Sequence, residues 1–134
     1  MTVLKINGIT KNFGSLVAND NISLSLEAGE VLALLGENGA GKTTLMNILF
    51  GHYVADAGDI EVFGKALPPG APQEAIEAGV GMVHQHFTLA ENLSVLENII
   101  LGTESLLAWK SDTNAARTKL DALADQYGMR VEPD

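Results

Sequence analysis

The sequence contains no cysteine, and it has few basic residues for its length. The missing thiols exclude disulfide bonds, zinc–thiolate sites and cysteine nucleophiles, and their absence is compatible with a reducing cytosol. Eight lysines and arginines face 17 aspartates and glutamates, which leaves a net charge of −9. Because no basic block exists, we expect no bulk binding to nucleic acid.

Long apolar runs are missing as well. None approaches the roughly 18–20 residues that a membrane span needs, and the N-terminal MTVLKINGIT has no apolar signal core. We therefore expect no direct membrane insertion, and we expect any membrane role to be peripheral and to act through a partner. Hydrophobic residues still make up 46% of the 134 positions, which is enough for a folded core.

Apolar patterns predict five strands. Residues 2–6, 22–26 and 58–63 have strand character, and in residues 22–26 the apolar side chains alternate with polar ones, as in a half-buried antiparallel strand. Residues 31–35 (VLALL) are apolar without alternation, which suits a strand covered on both faces of a parallel sheet. Residues 79–85 (GVGMVHQ) are expected to form a strand with a polar end.

Four helices are predicted from periodicity and end signals. The first begins at Lys42 and is closed by Gly51, and the second spans residues 73–78. The third spans residues 94–101 and opens with a capping box, in which Ser94 stands three residues before Glu97. The fourth spans residues 111–127, with an apolar stripe that we expect to pack in the core.

The segment between the VLALL strand and the first helix matches a phosphate-binding loop. It reads GENGAGKT, the pattern G-x-x-x-x-G-K-[ST]. The glycines allow consecutive backbone amides to turn towards phosphate oxygens, and the following helix adds its free amides and positive dipole end. Lys42 can reach the β- and γ-phosphates, and Thr43 can offer a hydroxyl to Mg²⁺. One lysine–phosphate contact amounts to about 4 kcal/mol before desolvation, at an effective dielectric near 20.

The motif is specific enough to carry a prediction. A chance match is expected in roughly one of 150–200 chains of this composition, and here the match lies between a strand and an amphipathic helix, as the chemistry requires. The alternative is a glycine-rich turn with a solvated lysine. A dinucleotide-binding fold is a poor rival, because Gly36, Gly39 and Gly41 do not have the spacing G-x-G-x-x-G.

Four stretches resemble the ATPase subunits of ABC transporters over about residues 3–103. GENGAGKTT resembles their Walker A loop, and TKNFGSLVANDNISLSLEAGE resembles the opening of the family. LFGHYVADAGDIEVFGK is similar to the region after the loop, and GVGMVHQHFTLAENLSVLENIILG is similar to the Q-loop and the helix after it. The segments HQHF and ENLSVLENI are most similar to those of importers of nucleosides or simple sugars, in which two ATPase domains are often fused.

The resemblance implies roles for individual residues. A triphosphate and Mg²⁺ would be held by Gly36, Glu37, Asn38, Gly39, Ala40, Gly41, Lys42, Thr43 and Thr44. Phe13 would stack on adenine, where aromatic stacking contributes about 1–3 kcal/mol per base by analogy with nucleic-acid platforms. Thr43 and Gln85 would contact the metal, and Lys42 and Gln85 would take part in catalysis. His84 and His86 lie two residues apart, but a metal pair there lacks further ligands.

The resemblance also implies partners and a location. Transmembrane permease subunits would dock on the region from Phe87 to Leu101, and a second ATPase domain would complete the site. The protein would then lie at the cytoplasmic face of the inner membrane as a peripheral subunit.

The family's other hydrolysis motifs do not occur in this sequence. A Walker B strand, four apolar residues followed by Asp and Glu, is not present, and neither are the LSGGQ-type signature and the late switch histidine. We therefore interpret the chain as the N-terminal part of an ATPase domain that can bind ATP, and we expect it to be inactive in hydrolysis on its own. Strand edges beside residues 31–35 are expected to be exposed.

The predicted fold is α/β: an incomplete P-loop NTPase core with an N-terminal antiparallel β layer, in residues 1–88, followed by the start of a helical subdomain, in residues 89–134. The predicted function is the ATP-binding subunit of an importer for a nucleoside or simple sugar. Two alternatives stay open, a nucleotide-binding fragment without turnover and an ABC ATPase outside transport.

Overall fold

The computed structural model describes residues 1–86, 88–101 and 113–134. They divide into two compact units, Met1–Val83 and His84–Asp134. Within the described ranges, the first unit carries four strands and two helices and the second carries two helices. Among these helices, none is both long enough and apolar enough to cross a membrane.

The strands of the first unit form one antiparallel sheet. Its members are β1 (Thr2–Phe13), β2 (Leu16–Glu27), β3 (Ala57–Val62) and β4 (Lys65–Ala66), in the order β2-β1-β3-β4. Gly14, with φ of 61°, makes the tight turn between β1 and β2. The strands predicted at residues 2–6, 22–26 and 58–63 are confirmed, although β1 and β2 extend well beyond the predicted bounds.

Helix α1 (Lys42–Phe50) and the sheet share the core of this unit. Leu45 and Ile48 on the helix join a cluster of buried side chains from β1 and β3, which are Ile6, Ile9, Ile60 and Val62. Fully burying one such side chain stabilises the fold by about 1.5–3 kcal/mol. The buried stripe therefore fixes the helix, and with it the loop that precedes the helix.

Gly51 ends α1, as predicted. It adopts the left-handed conformation with φ of 87°, and its N–H donates to the Ile48 carbonyl at 3.1 Å. A Cβ at this position would lie 2.7 Å from the backbone nitrogen of Pro72, so only glycine fits. Helix α2 (Pro72–Glu77) begins at that proline, and this confirms the helix predicted at residues 73–78.

Two of the predicted strands are not formed. Residues 31–35 and 79–85 have no strand assignment, and Val31, Leu35 and Val83 are more than nine-tenths exposed. A strand needs a neighbour that accepts its backbone hydrogen bonds, and the sheet of the described residues contains β1 to β4 alone. The prediction that residues 31–35 are covered on both faces is therefore wrong in this structure.

The second unit contains α3 (Val95–Ile100) and α4 (Thr113–Tyr127). The predicted capping box is confirmed: the Ser94 hydroxyl accepts from the Glu97 N–H at 3.3 Å, and the Glu97 carboxylate accepts from the Ser94 N–H at 2.7 Å. Helix α4 matches the predicted fourth helix, except that residues 111 and 112 lie outside the described residues. Its apolar stripe does not pack as predicted, because Leu123 and Tyr127 are 45% and 66% exposed.

Candidate phosphate-binding site

The candidate site is the loop of residues 36–41 together with the first turn of α1. Every residue of the loop up to Ala40 is exposed. Gly39 and Gly41 have φ of 83° and 87°, a conformation that other residues rarely adopt. The two glycines therefore allow the chain to turn tightly just before the helix starts.

Helix α1 starts without a side-chain cap. Its N-cap is Gly41, no side chain accepts a hydrogen bond from the first N–H groups of the helix, and the first turn holds no acidic residue. The Leu45 N–H is the first to reach a carbonyl of the turn, that of Gly41, at 3.0 Å. The N–H groups before Leu45 consequently have no partner within the helix, and together with the positive end of the helix dipole they suit an anion.

Lys42 closes the loop from the other side. Its Nζ donates to the carbonyl of Gly36 at 2.5 Å and to that of Glu37 at 2.7 Å. The Ala40 N–H also donates to the Glu37 carbonyl, at 3.1 Å. The ammonium group therefore lies at the loop. The two carbonyls accept hydrogen bonds from donors that could otherwise bind a phosphate.

Strand β2 supports the loop from behind. Asn19 is 5% exposed, and its Nδ2 donates to the Gly41 carbonyl at 3.1 Å. The Ala18 carbonyl lies so close that a Cβ on Gly41 would be 2.1 Å from its oxygen. Sequence reasoning missed Asn19, because nothing in VANDNIS separates it from the polar neighbours that face solvent.

Phe13 lies at the end of β1 in the same unit as the loop. Phe13 is 44% exposed, and its ring meets Tyr53 edge to face, with ring centroids 5.7 Å apart. The Lys11 Nζ lies 5.2 Å from the Phe13 centroid, in cation–π geometry. The ring is thus held by two neighbours and still has area open to a ligand, as a stacking platform requires.

Asp56 holds Lys11 in place. Its carboxylate is 3.5 Å from the Lys11 Nζ and accepts from the Asn12 N–H at 2.6 Å. The hydrogen bond from Asn12, more than the charge of Lys11, lowers the pKa of Asp56 below its ordinary value of 3.8. The carboxylate is therefore ionised at neutral pH and keeps the lysine beside the aromatic ring.

The remaining predicted site residues lie in the second unit or outside the described residues. Gln85 is exposed in a bend of the second unit, so a shared metal set with Thr43 stays a prediction. His84 and His86 are exposed too, and no group of three or more metal-binding side chains occurs in the described residues. Phe87, the predicted start of the permease-docking region, is outside the described residues.

A glycine-rich loop, a lysine directed at it and an uncapped helix start are together the features of the P-loop class of proteins. Within that class, the chain belongs to the ABC transporter family. The sequence profile of the family described as "ABC transporter" matches residues 19–133. This confirms the resemblance on which the site residues were predicted.

Curated relatives are similar in sequence to nearly all of the chain. The nucleoside import ATP-binding protein NupA of Lactococcus lactis is 48% identical over 133 residues, which are 99% of this chain and 26% of NupA. The guanosine import ATP-binding protein NupO of Bacillus subtilis is 46% identical over 98% of this chain and 26% of its own length. The chain therefore spans about a quarter of the length of these relatives.

Solved structures share the fold. An ATP-binding cassette of an ABC transporter, MJ1267, matches with a TM-score of 0.78 and 29% identity over 93% of this chain and 53% of that one. The ADP conformation of MJ1267 matches with a TM-score of 0.70 and 30% identity over 88% of this chain and 46% of that one. The predicted class, a P-loop NTPase core with an antiparallel β layer, is thereby confirmed.

Proposed function

We propose that this chain holds the triphosphate of ATP as part of an ABC transporter ATPase that imports a nucleoside or a simple sugar. The observation that carries the proposal is the loop of residues 36–41, with Lys42 bound to its carbonyls and an uncapped helix behind it. Residues 36–44 would donate backbone N–H groups to the phosphates. Lys42 would exchange its bonds to Gly36 and Glu37 for bonds to phosphate oxygens.

Phe13 would bind the base of the nucleotide. Its exposed ring lies on the same unit as the loop and is steadied by Lys11 and Tyr53. Stacking needs a ring face and no particular hydrogen bond, so phenylalanine suffices. Stacking alone would accept different bases, and we expect the contacts to the phosphates to supply most of the affinity for the nucleotide.

The donor set fits Mg²⁺. Magnesium prefers oxygen ligands and usually keeps waters and substrate phosphates, with few protein ligands. The exposed Thr43 hydroxyl at the start of α1 suits such a site. Thr43 and Gln85 would contact the ion, which would neutralise charge on the phosphates.

Catalysis would need groups beyond these. Lys42 would stabilise negative charge on the transferred phosphoryl group, and Gln85 would orient the attacking water. The sequence contains no Walker B strand and no LSGGQ-type signature. We therefore propose that residues 1–134 bind ATP and do not turn it over alone.

The proposed partners follow from the family. Transmembrane permease subunits would bind the region from Phe87 to Leu101, which includes α3, and a second ATPase domain would complete the ATP site. As such a subunit, the protein would lie peripherally at the cytoplasmic face of the membrane. The names of NupA and NupO favour a nucleoside as cargo, and those of other relatives, such as the ribose import protein RbsA of Clostridium tetani, favour a sugar.

The binding test uses Mg-ATP and the purified chain. We expect the wild type to bind, and Lys42→Ala to weaken binding at least tenfold, because a charge-assisted contact to phosphate is lost. Lys65→Ala is the matched control, because Lys65 lies on β4 away from the loop in sequence and is exposed. Equal binding by wild type and Lys42→Ala would refute the proposed site.

Turnover and transport need separate measurements. Phosphate release above that of Lys42→Ala would contradict the proposal that the chain does not hydrolyse ATP alone. For transport, the genes beside the coding sequence are informative: a permease and a solute-binding protein support import, whereas a repair operon would favour an ABC ATPase outside transport.

A further inference from the structure

We infer that Asn19 is a positioning residue of the phosphate loop, which fixes the junction between the loop and α1 from strand β2. The inference rests on the proposed function of the loop. Its own evidence is a hydrogen bond from a buried side chain, 22 positions away in sequence, to the carbonyl at which the helix begins.

The Gly41 carbonyl receives two donors. The Leu45 N–H reaches it at 3.0 Å and forms the first bond of α1, and the Asn19 Nδ2 reaches it at 3.1 Å. A carbonyl oxygen has two lone pairs, so both bonds can exist together. The side chain therefore sets the direction of the peptide group from which the helix starts, and hence the direction of the free N–H groups beside it.

Burial makes this contact specific. Among the described residues, Asn19 is the one polar residue that is buried. Its Oδ1 has no hydrogen-bond partner among them. An unpaired buried acceptor destabilises a fold, so an apolar side chain of the same size would serve packing at least as well. The one contact that the amide makes and leucine cannot make is the bond to Gly41.

The support is also steric. Gly41 sits directly against β2, because a Cβ added to it would meet the Ala18 carbonyl oxygen and the Asn19 Nδ2 first. Strand β2 in turn pairs along its length with β1, the central strand of the core. The loop junction is thus tied to the most buried part of the unit through two adjacent residues.

The test compares Asn19→Leu and Asn19→Asp with wild type in the full chain. Leucine keeps the branched outline and the number of heavy atoms and removes the donor, and ionised aspartate keeps the shape and removes the donor. Asn7→Leu is the matched control, because its Nδ2 bonds to Asp59 at an exposed site elsewhere on the sheet. Two readouts are measured, amide hydrogen exchange without nucleotide and the Kd for Mg-ATP.

We expect both Asn19 variants to speed exchange of the Leu45 amide by about tenfold and to raise the Kd about fivefold, while the amides of β1 exchange as in wild type. Asn7→Leu should change neither quantity. Unchanged exchange at Leu45, faster exchange throughout β1 and α1, or failure of both variants to fold would each overturn the positioning role. If wild type binds no nucleotide, the proposed function fails, and the exchange at Leu45 still decides the role of Asn19.

Discussion

Replacing Gly41 with alanine tests how the loop is held against β2. The change adds one methyl group at the N-cap of α1, where φ is 87°. Gly39→Ala is a matched control, because Gly39 has φ of 83° and no heavy atom within 4 Å of an added Cβ. Both variants strain the backbone, but only the methyl group at position 41 collides with atoms of β2.

The expected magnitudes follow from the contacts. A residue other than glycine in the left-handed conformation costs about 1–2 kcal/mol, and both variants carry this cost. At Gly41 the methyl group would also lie 2.1 Å from the Ala18 oxygen and 2.8 Å from the Asn19 Nδ2. Because β2 is fixed by its pairing, the junction must move away and lose the bond from Asn19, which adds about 1 kcal/mol or more. We therefore expect a loss of about 3 kcal/mol for Gly41→Ala.

The assay is urea unfolding followed by circular dichroism, with the free energy of unfolding taken for each variant. The second measurement is the Kd for Mg-ATP. It should rise at least tenfold in Gly41→Ala, since the free N–H groups are displaced. If Gly41→Ala lowers the free energy of unfolding by no more than Gly39→Ala, then β2 does not support the junction as argued.

Three further predictions concern other parts of the chain. Ser94→Ala should lower the free energy of unfolding by about 1 kcal/mol in urea, because the Glu97 N–H loses its cap. The pKa of Asp56 in the folded chain lies below its ordinary 3.8, so its ionised form contributes stability that is complete above that pH and is lost as the pH falls through the folded pKa. Asp56→Asn should therefore flatten the acid limb of a plot of stability against pH. Phe13→Leu should raise the Kd for ATP about tenfold and leave that for tripolyphosphate unchanged, whereas equal effects on both would refute base stacking.

The sequence was sufficient for the features that depend on local chemistry. Gly51 ends a helix, Ser94 and Glu97 form a capping box, and the alternating residues 22–26 lie in a strand. Each of these is decided by a few adjacent residues, through backbone conformation, a short hydrogen bond or the two-residue period of a strand.

Features that depend on distant parts of the chain were not predicted. Residues 31–35 have the composition of a buried strand, but a strand forms only where a neighbour pairs with it, and composition does not supply the neighbour. Tyr127 continues an apolar stripe, yet burial depends on what lies opposite the helix. Asn19 was missed for the related reason that its partner, Gly41, is 22 positions away.

Lys42 has a second role that affects how its variants are read. Its Nζ holds the carbonyls of Gly36 and Glu37, on the side of the loop that follows the exposed residues 31–35. The helix side is held instead by Asn19 and by the core positions of α1. Removing the ammonium therefore releases the less supported side of the loop as well as the proposed contact to phosphate. Weaker ATP binding in Lys42→Ala combines these two losses, whereas Asn19→Leu leaves the ammonium in place and alters the helix side alone.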